Sequence, residues 1–393
     1  MDKVRYGIIG LGNMGTGHIG NFINGEIPNA EVVAICDIKI DRIERIKEKF
    51  KDANFVSFLD YKDLIDANIV DAIIVAVPHY FHAEICIYGL EKGVNVICEK
   101  PAGVYTKQVK EMIEVANNSK GLFTMMFNQR TNCVYRKARE LILQGKIGEI
   151  RRVNWIITDW LRSQKYYDSG DWRATWAGEG GGVLFNQCPH QLDLLSWVTN
   201  MMPSAVMSHC HFGKWHDIEV EDDVTAYLEY PNGATGVFIA STGDYPGTNR
   251  FEITGTKAKL VLTNDTITID EIEGDDLVNV IKTGTPFPCP KHNERVVETD
   301  GENLQHIGIC RNFTNAILGK EKLFVDGREG INGVELMDSM ILSTWLDKKV
   351  NIPIDDDLYY NELQKRIKNS RRKTNVVDIV CDTENSYGSK IRK

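Results

Sequence analysis

Nowhere in its 393 residues does the chain carry the run of roughly 20 apolar residues that a membrane-spanning helix needs. The apolar stretch nearest the start, Val4 to Ile9, is short and runs into glycines, the pattern of a strand and turn rather than a secretion signal, so a cytoplasmic protein is expected. Cysteine pairs at working spacings are also missing. The nine cysteines (36, 86, 98, 133, 188, 210, 289, 310, 381) include no Cys-x-x-Cys, which removes the framework of a structural zinc site or a disulfide-stapled domain and leaves mostly buried free thiols. His209-Cys210-His211 does not restore a metal site, because alternate residues of a strand point to opposite faces and cannot converge on one ion. Positive charge is in deficit as well. With 46 Lys and Arg against 55 Asp and Glu the net charge is −9, which argues against nonspecific binding to nucleic acid or to an anionic membrane. A local basic cluster, Lys365, Arg366, Lys368, Arg371, Arg372 and Lys373, reads as a solvated helix end.

What is present is an ordinary folding composition, 42% hydrophobic and 26% charged, long enough for two domains of about 150 residues each with a full core. Through the first third, short apolar runs alternate with helical patterns: Val4 to Ile9, a helix after Gly15, Glu31 to Cys36, Arg42 to Lys49, Ala72 to Ala76, His82 to Lys92, Asn95 to Glu99, Lys107 to Asn117 and Leu122 to Phe127. Such alternation builds a parallel sheet with helices on both faces. The expected fold class is therefore α/β, with a Rossmann domain over residues 1–128. After a helix at about Tyr135 to Gln144 the pattern changes to longer, alternating segments: Arg151 to Trp160, Val224 to Tyr230, Ala234 to Ser241, Arg250 to Thr254, Lys259 to Thr263 and Thr266 to Asp270. These predict a large, mostly antiparallel open sheet in a second α/β domain over 129–355, with late helices at about Leu304 to Leu318 and Gly330 to Lys348. A polar C-terminal extension, 356–393, is expected to be weakly ordered from about Thr374.

Gly10-Leu11-Gly12-Asn13-Met14-Gly15 joins the first strand to the first helix, and each glycine there has a physical task. Gly10 makes the tight turn, Gly12 lets backbone approach a pyrophosphate, and Gly15 permits close packing of helix on strand. The helix start at Asn13 and Met14 then offers N–H donors and a positive dipole end to phosphates. Asp37 follows the second strand, where it would accept from ribose hydroxyls and repel a 2′-phosphate, favouring NAD over NADP; Lys39 and Arg42 nearby weaken that preference. Val77, Pro78 and His79 leave a later strand of the same sheet and should pass beside the cofactor, as should Glu99 and Lys100; His82 reads as structural at a helix start. Asn128, with Gln129 and Arg130, ends the last strand of this domain, placed to touch nicotinamide or substrate or to serve as an interdomain hinge.

Together with Trp172-Arg-Ala-Thr-Trp176 and Gly180-Gly181-Gly182-Val-Leu-Phe-Asn186-Gln-Cys-Pro-His190-Gln-Leu-Asp193, the glycine loop and Glu99-Lys100-Pro101 make the chain resemble the glucose-fructose oxidoreductase, inositol dehydrogenase and rhizopine catabolism (Gfo/Idh/MocA) family over residues 3 to 353. Trp172 to Trp176 and Gly180 to His190 look most like its levoglucosan and glycoside 3-dehydrogenases. The resemblance implies a Rossmann domain with NAD, a second domain whose sheet covers the cofactor, and a homodimer or homotetramer formed through that sheet. It also implies an NAD-dependent oxidation of a secondary ring hydroxyl of a sugar or glycoside, C3 being the expected carbon.

Hydride transfer from a secondary alcohol needs a base for the hydroxyl proton and a group that stabilises the developing alkoxide. His190 is the candidate base, since an imidazole with a pKa of about 6.5 is largely neutral at pH 7 whereas a lysine near about 10.4 is not. Lys100 then donates to the substrate oxygen. Many members of the family carry aspartate where this chain has Asn186, an amide able to hold a sugar hydroxyl but not to supply negative charge. On a helix, even one kinked by Pro189, Asn186 and His190 are expected to share a face with Asp193 near it, where Asp193 either orients the ring or faces neighbours of its own helix. Tyr166, Trp172 and Arg173 are candidates to pack on and hydrogen-bond a sugar ring, with Tyr167 and Trp176 beside them. Three other functions fit the same resemblance: an inositol dehydrogenase, a glycosidase or lyase that oxidises its substrate transiently while retaining NAD, and a nucleotide-sensing protein without turnover.

Overall fold

In the computed structural model, residues 2–371 are described apart from 275, 283 and 284, together with Lys373 and Val376. All but Val376 of the tail expected from Thr374 lies outside the described residues.

Six short strands form the first sheet: β1 (Val4–Ile9), β2 (Ala30–Cys36), β3 (Val56–Phe58), β4 (Ala72–Val75), β5 (Asn95–Cys98) and β6 (Phe123–Met125). All pair in parallel in the order β3-β2-β1-β4-β5-β6. The inner strands are Val- and Ile-rich because helices cover both faces, and all four residues of β4 are buried. The order reverses between β1 and β4, so the connections leaving their carboxyl ends diverge and open the crevice in which such sheets bind ligands. The sequence pattern did not reveal β3 or the helix Tyr61–Asp66 that follows it. A three-residue edge strand with an exposed Val56 shows no period to read.

The second sheet has nine strands: β7 (Ile150–Ile157), β8 (Ala205–Phe212), β9 (Glu221–Glu229), β10 (Thr235–Ser241), β11 (Asn249–Gly255), β12 (Ala258–Thr263), β13 (Thr266–Ile272), β14 (His292–Val296) and β15 (Val350–Asn351). Their order is β14-β13-β12-β11-β7-β10-β9-β8-β15, and every neighbouring pair is antiparallel except β7 with β10. Side chains alternate as the pleat demands: in β9, Val224, Ala226 and Leu228 are buried while Thr225 and Tyr227 face outward. In β8, Cys210 is buried between exposed His209 and His211, which puts the three on opposite faces. Helix Gly330–Leu346 packs on β8 and on helix Pro189–Thr199. It also ties the two sheets together, for Asp338 accepts from the backbone N–H of Thr106, at the start of helix Thr106–Asn118 in the first domain (2.9 Å).

The basic cluster is not wholly a solvated helix end. Helix Asp356–Asn369 buries Tyr359 and Leu363, and the Arg366 guanidinium lies 3.7 Å from the centre of the Trp345 ring, where its planar fork stacks on an aromatic face. Beyond that helix, Ser370 and the Arg371 N–H bond to Glu219, and the Lys373 ammonium donates to the Tyr167 carbonyl (2.7 Å).

Candidate active site

The glycine loop has the geometry its spacing predicts. Gly10 sits at φ +93°, and a Cβ added there would lie 2.3 Å from the Ala76 carbonyl oxygen. A Cβ at Gly15 would lie 1.9 Å from the Gly10 carbonyl, so both positions require glycine for contact within the protein. Gly12 differs: nothing lies within 4 Å of such a Cβ, so its bareness serves space outside the loop. Helix Asn13–Ile23 begins there with Gly12 at its N-cap and no side-chain cap bond, so its positive dipole end lies beside the loop. Asp37, 5% exposed, accepts from the backbone N–H groups of Leu11 (2.8 Å) and Lys39 (2.9 Å), with an Arg42 nitrogen 3.4 Å away. It thus braces the loop while marking the end of β2.

The next wall of the crevice is built by Val77, Pro78 and His79 after β4, and Val77 abuts Gly10. His82, at the start of helix His82–Glu91, ties this turn to the one after β5. Its ring nitrogens lie 2.7 Å from the Pro101 carbonyl and 2.8 Å from the Val77 carbonyl, so only the doubly protonated ring donates to both. Burial opposes that charge, but the Cys98 sulfur and the two carbonyls outweigh it and raise the pKa to about 9.

Glu99 is buried and bonded within the protein. Its carboxylate accepts from His18 Nε2 (2.7 Å) and from the Lys100 N–H (3.3 Å). Burial would raise its pKa, but the His18 bond and the charges of His18, His306 and Lys100 prevail and hold it at about 2. His306, whose ring centre is 5.6 Å from that of His18, is pushed down to about 4 by burial and by the neighbouring cations. The Lys100 ammonium donates to the Asn186 carbonyl (3.1 Å). Burial lowers the Lys100 pKa, with Glu99 and Glu179 opposing and Arg173 assisting. His190 is 7% exposed, its pKa is depressed well below the usual value by burial, Lys100 and His306, and its Nδ1 has no hydrogen-bond partner among the described residues.

Asn186 and His190 do not share one helix. Asn186 ends the short helix Val183–Asn186 and His190 belongs to Pro189–Thr199, because Pro189 lacks an N–H to continue the first and is preorganised to begin the second. Nor does Asp193 orient the His190 ring. It is taken by Arg130, which donates through Nε (2.8 Å) and Nη2 (2.5 Å) in a pair almost wholly buried.

Around Asn186 the predicted substrate residues do come together. The Tyr166 hydroxyl donates to Asn186 Oδ1 (3.0 Å), Gln187 Nε2 donates to both (3.1 Å each), and Arg173 Nη1 donates to the Tyr166 oxygen (3.1 Å). The Arg173 guanidinium lies over the Tyr166 ring at 4.8 Å and the Trp172 ring at 4.6 Å, and Trp172 meets His79 edge-on at 5.7 Å. Trp176 and Tyr167 belong to the core instead: the former packs on Phe212 and Trp345, and the latter bonds Thr242 (2.8 Å). Asn128 is buried, with Nδ2 donating to Gln305 (2.6 Å) and Oδ1 without a partner among the described residues. Sequence reading missed Glu179, His18, His306, Gln187 and Gln305. Glu179, between two glycines, reads as a loop residue in solvent yet is 1% exposed.

Among the described residues no group of three or more His, Cys, Asp or Glu side chains is placed to hold a metal, and no helix is long and apolar enough to cross a membrane. The open space at Gly12, the helix N-terminus beside it and an Asn128 oxygen without a partner among the described residues suit a dinucleotide. Comparison with known proteins agrees. Residues 4–127 match the oxidoreductase family with an NAD-binding Rossmann fold, and residues 135–261 match the Gfo/Idh/MocA C-terminal domain. The myo-inositol 2-dehydrogenase of Thermotoga maritima is 26% identical over 282 residues, 69% of this chain and 80% of its own. The D-glucoside 3-dehydrogenase of Escherichia coli is 27% identical over 220 residues, 52% of this chain and 60% of its own. Among solved structures, the WlbA dehydrogenase of Chromobacterium violaceum, in complex with NADH and UDP-GlcNAcA, is 25% identical with a TM-score of 0.76, covering 90% of this chain and 97% of its own. A levoglucosan dehydrogenase in complex with NADH and levoglucosan has the same fold, with a TM-score of 0.74 at 21% identity over 89% of this chain and the whole of its own. The chain belongs to the Gfo/Idh/MocA family of NAD-binding oxidoreductases.

Proposed function

We propose that this chain is an NAD-dependent dehydrogenase that oxidises a secondary ring hydroxyl of a sugar or glycoside, C3 being the favoured carbon. The observation that carries the reading is the meeting of a lysine of lowered pKa, a neutral histidine with an unpartnered ring nitrogen and a hydrogen-bonded Asn-Tyr-Arg cluster, reached from the mouth of a dinucleotide crevice. The glucoside- and inositol-oxidising relatives support a ring-hydroxyl substrate.

Bound NAD supplies the hydride acceptor. Gly10, Gly12, Asn13 and Met14 would hold its pyrophosphate, Asp37 the ribose next to adenine, and Val77, Pro78, His79 and Asn128 would serve the nicotinamide end. Glu99 fixes the turn that carries Lys100. Arg42 beside Asp37 weakens the carboxylate's repulsion of a 2′-phosphate, but both Asp37 oxygens are engaged by backbone N–H groups that fix the side chain at the end of β2, which supports NAD over NADP. Tyr166, Trp172, Arg173 and Asn186 hold the sugar ring by stacking and hydrogen bonds.

His190 takes the hydroxyl proton. Its depressed pKa keeps the imidazole neutral at physiological pH, at the cost of weaker basicity. Lys100 compensates by donating to the substrate oxygen, which lowers the hydroxyl's own pKa and stabilises the charge as it develops. Association through the outer face of the second sheet is part of the same proposal. Cross-strand neighbours Met207, Tyr227 and Val237, and next to them Ile239 and Ile156, leave a contiguous, partly exposed apolar strip there. Light scattering giving a monomer would refute a dimer or tetramer.

A screen of NAD reduction over inositols, free pyranoses and alkyl or aryl glycosides tests the function. NADH formed in step with oxidised sugar is the expected result. Glycoside cleavage without net NADH favours the transient-oxidation reading, inositol turnover alone the inositol dehydrogenase, and nucleotide binding without any turnover a sensor.

A further inference from the structure

Glu179 lies outside every role assigned so far, yet it is a carboxylate almost without solvent contact. Its loop is wedged from both sides: a Cβ at Gly178 would lie 2.4 Å from the Trp172 carbonyl, and one at Gly180 would lie 2.0 Å from a Val104 methyl, with Gly180 at φ +84°. Only glycines let the chain pass there, and the passage drives the residue between them inward. Inside, Oε2 accepts from the Ala174 N–H (2.6 Å), Oε1 accepts from Asn186 Nδ2, and Arg173 Nη1 stands 3.9 Å from Oε1. The Glu179 carbonyl faces His79 Nδ1 at 3.3 Å. The charge of Glu179 also acts on Lys100.

We propose that Glu179 is a positioning residue of the dehydrogenase site: it supplies the anion that Asn186 lacks, fixes that amide in one orientation, and balances Arg173 and Lys100. The inference rests on the dehydrogenase reading above. An ionised carboxylate accepts hydrogen bonds and donates none, so its contact dictates which end of Asn186 faces it. Nδ2 turns to Glu179, and Oδ1 turns to Tyr166 and Gln187. A residue that merely filled the space would be apolar, because a buried carboxylate is costly unless paired and hydrogen-bonded. Here its side-chain partners, Asn186 and Arg173, both face the substrate side of the site. Burial raises the Glu179 pKa, and Arg173, the Ala174 N–H, Asn186 and Lys373 oppose that rise.

The test is to move the charge. Glu179→Gln keeps the shape and removes the anion; kcat should fall by about 10- to 100-fold, the worth of a hydrogen bond to a charged group, while KM for NAD stays within about twofold. Asn186→Asp alone sets two carboxylates against each other and should lower both kcat and Tm. The double variant exchanges donor and acceptor across the same contact. It should recover at least about tenfold in kcat over Glu179→Gln and regain the Tm lost by Asn186→Asp, which a residue needed only for packing would not do. A wild-type enzyme that reduces NAD with no sugar or polyol refutes the dehydrogenase reading. The inference about Glu179 falls separately, if Glu179→Gln keeps kcat within about twofold of wild type or if the Tm changes of the two single variants simply add in the double.

Discussion

Replacing Asp193 by alanine should unfold the protein more readily without touching its chemistry. Arg130 and Asp193 are each 1% exposed in their side chains and joined by two hydrogen bonds, and the guanidinium lies 5.0 Å from the Phe127 ring centre and 5.3 Å from that of Trp197. Removing the carboxylate strands a permanent cation among aromatic rings, and breaking such a pair costs about 3–5 kcal/mol. Glu329, 2.7 Å from Arg130 Nη1 and 38% exposed, remains as a partial counter-ion, which places the expected loss near the lower end, about 3 kcal/mol. For a cooperative unit of this size each kcal/mol moves Tm by about 2–4 °C, so a fall of about 6–12 °C is expected. Replacing both partners with apolar residues, Arg130→Met with Asp193→Leu, should recover most of it, because neither charge then needs solvation. Urea unfolding followed by circular dichroism measures the loss, and kcat at a temperature where the variant is folded measures the chemistry. A loss below about 1 kcal/mol with kcat reduced tenfold or more would overturn the argument and return Asp193 to the His190 ring.

Gly10 and Gly12, two residues apart, should respond differently to one methyl group. Gly12→Ala meets no atom within 4 Å and should leave Tm unchanged while weakening NAD binding at least about tenfold in titration calorimetry; Gly10→Ala, at φ +93° and 2.3 Å from the Ala76 carbonyl, should destabilise the fold itself. Lys100→Ala should lower kcat by about 100- to 1,000-fold in steady-state assays while NAD affinity changes little, since the residue serves the alkoxide; equal losses in both would refute that role. For pH, His82 has its pKa raised to about 9, so its stabilisation is fully present below its unfolded value of about 6.5 and is lost as pH rises through about 9. His190 and His306 are depressed, the latter to about 4, so their contribution is present above about 6.5 and lost as pH falls toward their folded values. Tm should therefore fall on both sides of neutrality, with the alkaline fall removed in His82→Gln, and the acid limb of kcat/KM should lie below pH 6.5 if neutral His190 is the base.

The parts of this molecule legible in the sequence are those where one residue type has one physical use. A buried parallel strand must be apolar on both faces, so β4 stands out as an unbroken run and β1 as one interrupted only at exposed Arg5; a dinucleotide turn must have bare backbone, so Gly10, Gly12 and Gly15 stand out too. β3 did not, because three residues at a sheet edge carry no period, and the parallel pairing of β7 with β10 inside an otherwise antiparallel sheet has no local signature at all. The active-site polar residues divide on the same principle. Lys100, Asn186 and His190 sit in strings whose spacing limits what they do, whereas Asp193 and Glu179 are carboxylates whose meaning depends on which cation the fold delivers. A helical count brought Asp193 near His190, but Pro189 ends one helix and begins another, and the Arg130 guanidinium, just past the first domain, claims the carboxylate. Glu179, flanked by glycines, has every mark of a solvated turn until the turn is found wedged between Trp172 and Val104. Both carboxylates thus take their meaning from partners that no local pattern brings to them. One of them acts on stability through Arg130, and the other reaches the substrate side of the site through Asn186, so an unfolding assay and a kcat measurement on the same pair of variants, Asp193→Ala and Glu179→Gln, should separate cleanly: the first losing Tm and keeping kcat, the second losing kcat more than Tm.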